Sequence, residues 1–277
     1  MMVDKQAASQ SRAVALRAQD LEVGYNDAPI IRELDLEIPA GEFTIIVGPN
    51  ACGKSTLLRA LARVLPAKGT ITIAGKQLAE FRNKELAQVM GLLPQSPLAP
   101  DGIRVYDLIA RGRYPHQDIF GRWQEKDHQA VAAAMEKTRV TDLADKRLDE
   151  LSGGQRQRVW LAMILAQETQ IVLFDEPTTY LDITHQVEVL NVARELQQAG
   201  VTVVMVLHEL TLAFRYATYL VVMAQGAIAA RGSVNEIVTE SLLREVYNLD
   251  CRLLEDPETG RPIVIPRATT LPASRAQ

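Results

Sequence analysis

The stretch Gly48-Pro49-Asn50-Ala51-Cys52-Gly53-Lys54-Ser55 fits the pattern G-x-x-x-x-G-K-[ST] of a phosphate-binding loop. Its glycines let consecutive backbone N–H groups curl around phosphate oxygens. Lys54 offers a point charge to the β and γ oxygens, and the Ser55 hydroxyl can ligate Mg²⁺. Before it, Leu36, Ile38 and Phe43–Val47 read as short strands. After it, Leu57, Leu58, Leu61 and Val64 recur at helical spacing, closed by Pro66. A glycine turn that merely starts a helix is the plain alternative. Strand, turn and helix in this order are the setting a phosphate loop requires.

Farther along, residues 105–167 turn helical, with Ala-rich stretches such as Ala130–Met135 and no strand pattern. From Ile171 the alternation of strand and helix returns. Ile171–Phe174 and Val201–Leu207 are short, continuously apolar strands. Between them Ile183–Ala199 reads as a helix, with Ile183, Val187 and Leu190 on one face and Gly200 past its end. Buried strands of this kind imply a parallel sheet with helices on both faces. The chain is therefore expected to be an α/β nucleotide-binding domain interrupted by a helical insert.

Bulk composition narrows the partners. A net charge of -4 over 277 residues gives no global basic field for nucleic acid or anionic lipid. No apolar run approaches the roughly 20 residues of a spanning helix, and the polar start lacks the apolar core of a secretory signal. Cys52 and Cys251 read as unpaired thiols in a reducing compartment. The chain is expected to be cytosolic unless another protein holds it at a membrane. Residues 1–12 and 268–277 read as loose ends.

Three further segments carry chemistry. Ile171-Val172-Leu173-Phe174-Asp175-Glu176 is an apolar strand ending in two carboxylates, and ligands of open parallel sheets bind beyond such strand ends. Asp175 suits a magnesium ion, and Glu176 suits the general base for an attacking water. A solvated strand end is the alternative. In Leu151-Ser152-Gly153-Gly154-Gln155, Ser152 and Gln155 form a capping box that opens the helix through Trp160 and Leu165. A helix start with two glycines is also an anion seat. His116, His128 and His185 make no metal-ligand spacing and read as surface or packing residues.

Together, the phosphate loop, the strand-end carboxylates and the Leu-Ser-Gly-Gly-Gln signature resemble the ATP-binding-cassette family over roughly residues 15–267. That resemblance implies a P-loop NTPase core with an antiparallel β subdomain and an inserted α-helical subdomain. The ATPase domain would span residues 13–247, with the insert at about 97–167 and a C-terminal extension at 248–277. ATP would be held by Gly48, Pro49, Asn50, Ala51, Cys52, Gly53, Lys54, Ser55 and Thr56, with Tyr25 stacking on adenine. Ser152, Gly153, Gly154 and Gln155 would contact the γ-phosphate of ATP held by a second copy, which implies a head-to-tail homodimer. Asp182 matches the loop crossing that interface, although it could serve simply as a helix N-cap. Gln95 matches the residue touching Mg²⁺ and the attacking water, and His208 matches the γ-phosphate sensor. Glu176, His208 and Gln95 are thus the expected catalytic residues, and Ser55, Gln95 and Asp175 the expected Mg²⁺ ligands. Ala51 departs from the family pattern, where many members have glycine.

Within the family, Ala110-Arg111-Gly112-Arg113-Tyr114-Pro115-His116, the run from Asp175 to Asp182 and the ending from Asp256 to Pro266 look most like the ATPases of enterobactin-type ferric-siderophore importers. Vitamin B12 and haem importers are close relatives. The resemblance implies two membrane-spanning permease subunits docked between Gln95 and His116, a site at the cytoplasmic face of the membrane, and an extracytoplasmic siderophore-binding protein that selects cargo. Cassette ATPases of DNA repair or translation are the other class, without a permease. They carry a long coiled coil or two cassettes, and this chain has neither. An ATP-binding switch that does not hydrolyse would not need Glu176 and His208, and export rests only on weaker family likeness.

Overall fold

The computed structural model describes residues 13–25, 28–117, 122–179 and 181–267; the two ends read as loose lie outside them. Strands β1 (Val14–Tyr25) and β2 (Ala28–Pro39) form a long antiparallel pair. The chain then enters β3 (Phe43–Val47), the phosphate loop and helix α1 (Lys54–Leu61). Strands β4 (Lys68–Ile73) and β5 (Lys76–Gln77) return to the first sheet, giving the order β2-β1-β4-β5. Helix α2 (Asn83–Val89) leads into β6 (Met90–Leu93).

Next come helices α3 (Val105–Ala110), α4 (Glu125–Lys137) and α5 (Gly153–Ala166), joined by short 3-10 turns. Alternation resumes with β7 (Ile171–Asp175), α6 (Ile183–Gln198), β8 (Thr202–Val206), α7 (Leu210–Tyr216), β9 (Tyr219–Ala224) and β10 (Ala227–Gly232). Helices α8 (Val234–Ile237) and α9 (Glu240–Tyr247) precede a hairpin of β11 (Cys251–Glu255) and β12 (Pro262–Pro266).

The six-stranded sheet has the order β10-β9-β3-β8-β7-β6 and is parallel except at its β10 edge. Its central strands are buried on both faces, which explains their unbroken apolar runs. Successive residues point to opposite cores. Ile46, Leu173, Val204 and Val221 join α1 and the antiparallel sheet, whereas Ile45, Phe174, Met205 and Val222 join the helices on the other side. Among the described residues, no helix is long and apolar enough to cross a membrane.

Two helix readings need correction. Helix α1 ends at Leu61, short of Val64, which is exposed. Arg63 there adopts a left-handed φ of 56°, and the Arg63 and Val64 amides donate back to the Ala60 and Arg59 carbonyls, a Schellman-type stop. Its guanidinium then holds the Leu78 and Phe81 carbonyls. In α6 the buried face is Val189, Leu190 and Ala193, while Ile183 is exposed. This helix starts at the sheet edge where β7 ends, so its first turn projects beyond the core before the helix runs back beneath the sheet.

Candidate functional site

Parallel order brings four chain segments to one sheet edge. Strands β3, β8, β7 and β6 are neighbours, so Gly48, His208, Asp175 with Glu176, and Gln95 all emerge at their carboxyl ends. A cleft of about 410 Å³ there is lined by Ile30, Asn50, Ala51, Gly53, Lys54, Ser55, Thr56, Gln95, Glu176 and His208. Clefts of about 440 and 550 Å³ lie around Pro66 and Ala67, but their charged groups make structural contacts: Arg63 holds carbonyls, and Lys68 pairs with Glu22. The chemistry converges on the smaller cleft.

The loop is shaped by close packing as well as by turns. A Cβ on Gly48 would lie 2.3 Å from the Met223 carbonyl oxygen and 2.7 Å from Cys52 Sγ, so the loop rests directly on β9. Lys54, buried, donates from Nζ to the carbonyls of Gly48 and Pro49, both at 2.9 Å, which fixes its ammonium inside the curl. The amides of α1's first turn have no partner within the helix and are available to an anion. Cys52, within the loop, is buried, and burial pushes its thiol pKa up against the opposing charge of Lys54. Ala51, where the family favours glycine, has φ 60°. An L-residue in that region costs roughly 1–2 kcal/mol. Ala51→Gly is expected to stabilise the protein by about 1 kcal/mol, a rise of about 2 °C or slightly more in unfolding midpoint. A calorimetric midpoint unchanged or lowered would show that the loop stores no such strain.

Glu176 is the hub of the carboxylate end. Gln95 Nε2 donates to its Oε2 at 2.6 Å, His208 Nε2 lies 2.6 Å from its Oε1, and the Thr179 hydroxyl donates to Oε2 at 3.4 Å. Its backbone is also left-handed, with φ 53°, so the turn after β7 aims the side chain sideways along the sheet edge. Asp175 is fully buried, and neither carboxylate oxygen has a hydrogen-bond partner. Arg59 Nε lies 3.4 Å from Oδ2, an ion pair without hydrogen-bond geometry. Buried carboxylates are rarely left in this condition. Asp175 does not itself line the cleft, but it directly precedes Glu176, which does together with Ser55 and Gln95, and its unpartnered carboxylate fits a hydrated divalent cation there.

Not every expected residue lines this cleft. Ser152, Gly153, Gly154 and Gln155 are absent from its lining and form the N-terminus of α5 elsewhere. Their capping box is present: Gln155 N donates to Ser152 Oγ at 3.3 Å, and Ser152 N to Gln155 Oε1 at 3.0 Å. Asp182 caps α6, accepting from His185 N at 3.0 Å. Tyr25 is exposed at the end of β1, in the hairpin whose Ile30 reaches the cleft. Of the other histidines, His116 Nε2 bonds the Gln167 carbonyl, and His128 packs on Trp123. Ile30, Arg59 and Thr179 escaped the sequence reading. Ile30 is one apolar residue in an alternating strand, and Arg59 reads as an ordinary last-turn cation.

Residues 31–179 match the model of the ABC transporter family. The chain is 48% identical over 261 residues to the ferric enterobactin transport ATP-binding protein FepC of Escherichia coli, covering 94% of this chain and 96% of that one. It is also 48% identical over 254 residues to the probable siderophore transport system ATP-binding protein YusV of Bacillus subtilis, covering 91% and 92%. The hemin import ATP-binding protein HmuV of Thermobifida fusca is more distant, 40% identical over 257 residues, covering 92% and 90%. Among solved structures, a chain of a metal-chelate type ABC transporter in an inward-facing conformation superposes with a TM-score of 0.79 at 26% identity, covering 93% of this chain and 99% of that one.

Proposed function

The chain belongs to the ABC transporter family, and we propose that it is the ATP-hydrolysing subunit of a ferric-siderophore importer. The observation that carries hydrolysis is the Glu176 carboxylate, gripped by Gln95 and His208 across the cleft from Lys54 and Ser55. The curled amides of Gly48 to Thr56 and the Lys54 ammonium bind the β and γ phosphates, while Tyr25 supplies a face for adenine. Ser55, Asp175 and Gln95 would hold Mg²⁺, which offsets phosphate charge when bound. Glu176 takes the proton of the attacking water, Gln95 orients that water, and His208 steadies both Glu176 and the γ-phosphate.

Within one chain the cleft lacks Ser152–Gln155, and a second copy docked head to tail supplies them. That accounts for a helix N-terminus that leaves Ser152 and Gly153 exposed. The family also supports two permease subunits on the segment between Gln95 and His116. There Leu98 is 94% exposed and Tyr114 57%, side chains open to a permease helix at the cytoplasmic face of the membrane. We assign residues 13–247 to the ATPase domain, 97–167 to its helical insert and 248–277 to a C-terminal extension. An extracytoplasmic binding protein would select the siderophore.

Cells deleted for this gene are expected to lose uptake of a ferric catecholate or hydroxamate complex under iron limitation and to retain haem and vitamin B12 uptake. Radiolabelled iron accumulation equal to the parent strain would reject the siderophore assignment and leave the ATPase assignment standing.

A further inference from the structure

The two glycines of the Ser152–Gln155 segment have different surroundings. A Cβ on Gly153 would meet nothing within 4 Å, whereas one on Gly154 would lie 2.7 Å from His185 Cδ2 and 2.8 Å from its Nε2. The imidazole of α6 therefore fills the space a side chain of α5 would need. That ring is itself held: His185 Nδ1 lies 2.9 Å from Glu188 Oε2, and the same oxygen accepts from Arg158 Nη1 at 3.2 Å. Arg158 stands one turn past Gly154 on α5, so steric contact and ion pair tie the same two helices. Glu188 is held below the usual carboxylate range, chiefly by the His185 hydrogen bond and then by Arg158, and so stays charged at neutral pH.

From this arrangement we infer that His185, fixed by Glu188 and Arg158, is a positioning residue for the α5 N-terminus and hence for the γ-phosphate seat offered to the partner copy. The inference rests on the reading of that N-terminus as the seat. The His185 amide is bonded to Asp182, at the end of the loop that leaves Glu176, and Gln157 Nε2 of α5 donates to the Pro177 carbonyl in that loop at 2.8 Å. Both helices α5 and α6 thus contact the segment that follows the general base, at Pro177 and at Asp182.

The test uses the full chain. His185→Ala is expected to weaken the ATP-dependent dimer of a Glu176→Gln background about tenfold, and to lower kcat comparably when Glu176 is intact. Titration of dilute single subunits with ATP should give unchanged affinity, because the phosphate loop is untouched. His185→Gln, whose amide can still bond Glu188, should recover most of the loss. Arg158→Met should show the same split without altering the ring, and it carries the test if His185→Ala does not fold. A purely structural role predicts a lower melting temperature with dimer constant and kcat unchanged, and that result would overturn the inference. If Ser152→Arg also leaves the dimer intact in the same background, the seat reading itself fails; if only His185→Ala is silent, the seat stands and this inference falls.

Discussion

Lys54→Ala is expected to raise the dissociation constant for Mg·ATP by roughly 100-fold or more, since charge-assisted hydrogen bonds contribute about 1.5–3 kcal/mol each and Lys54 can make two to the β and γ phosphates. Among the residues lining the cleft, Lys54 is the one lysine or arginine. The bonds it now makes to the Gly48 and Pro49 carbonyls show that the loop presents the ammonium inward in advance. Removing it also leaves those carbonyls without their donor, so part of the loss could come from loop disorder. Lys54→Met separates the two causes, because it restores the bulk of the stem without the charge. Both variants should lose affinity in an equilibrium titration with a fluorescent ATP analogue, and Lys54→Met should melt close to wild type. Near-normal affinity in either would show that the phosphates are held elsewhere.

Much of this site was legible in the sequence because its residues fall at fixed offsets from strand ends. Gly48, Asp175 with Glu176, and His208 each follow an apolar run short enough to be a strand. Chain order then suffices to place them on one edge once the sheet is parallel. The Ser152–Gln155 capping box was legible for a different reason: its two hydrogen bonds are local. What escaped the reading depends on side chains meeting across long separations. Arg59 beside Asp175 and His185 against Gly154 join elements whose spacing carries no periodic signal. The buried α6 face differs from the one its spacing predicts because an apolar residue in a first turn can lie beyond the core, as Ile183 does. The stop of α1 carries no glycine signal, because Arg63 takes the left-handed position.

The Glu176→Gln variant should bind ATP, close, and fail to reopen. Loss of a general base typically costs about 10²–10⁴ in rate. The substitution is also well tolerated by the surroundings. The introduced amide oxygen can accept from Gln95 Nε2, and its N–H can donate to His208 Nε2 once that ring carries its proton on Nδ1. Lys54 and Ser55 in one copy, and Ser152 with Gly154 in the other, remain in place to hold the nucleotide between them. The variant should therefore persist as an ATP-dependent dimer that the unsubstituted protein populates only briefly, as read by size-exclusion chromatography with light scattering in ATP and EDTA. Adding Ser152→Arg should return it to monomer, because a long side chain at the exposed start of α5 would occupy the γ-phosphate seat. That change also removes a helix cap worth about 1 kcal/mol, so its melting temperature should be measured alongside. A fully folded Ser152→Arg double variant that still dimerises with ATP would disprove the shared-nucleotide interface. A Glu176→Gln protein that turns over ATP at the unsubstituted rate would place the base on another residue.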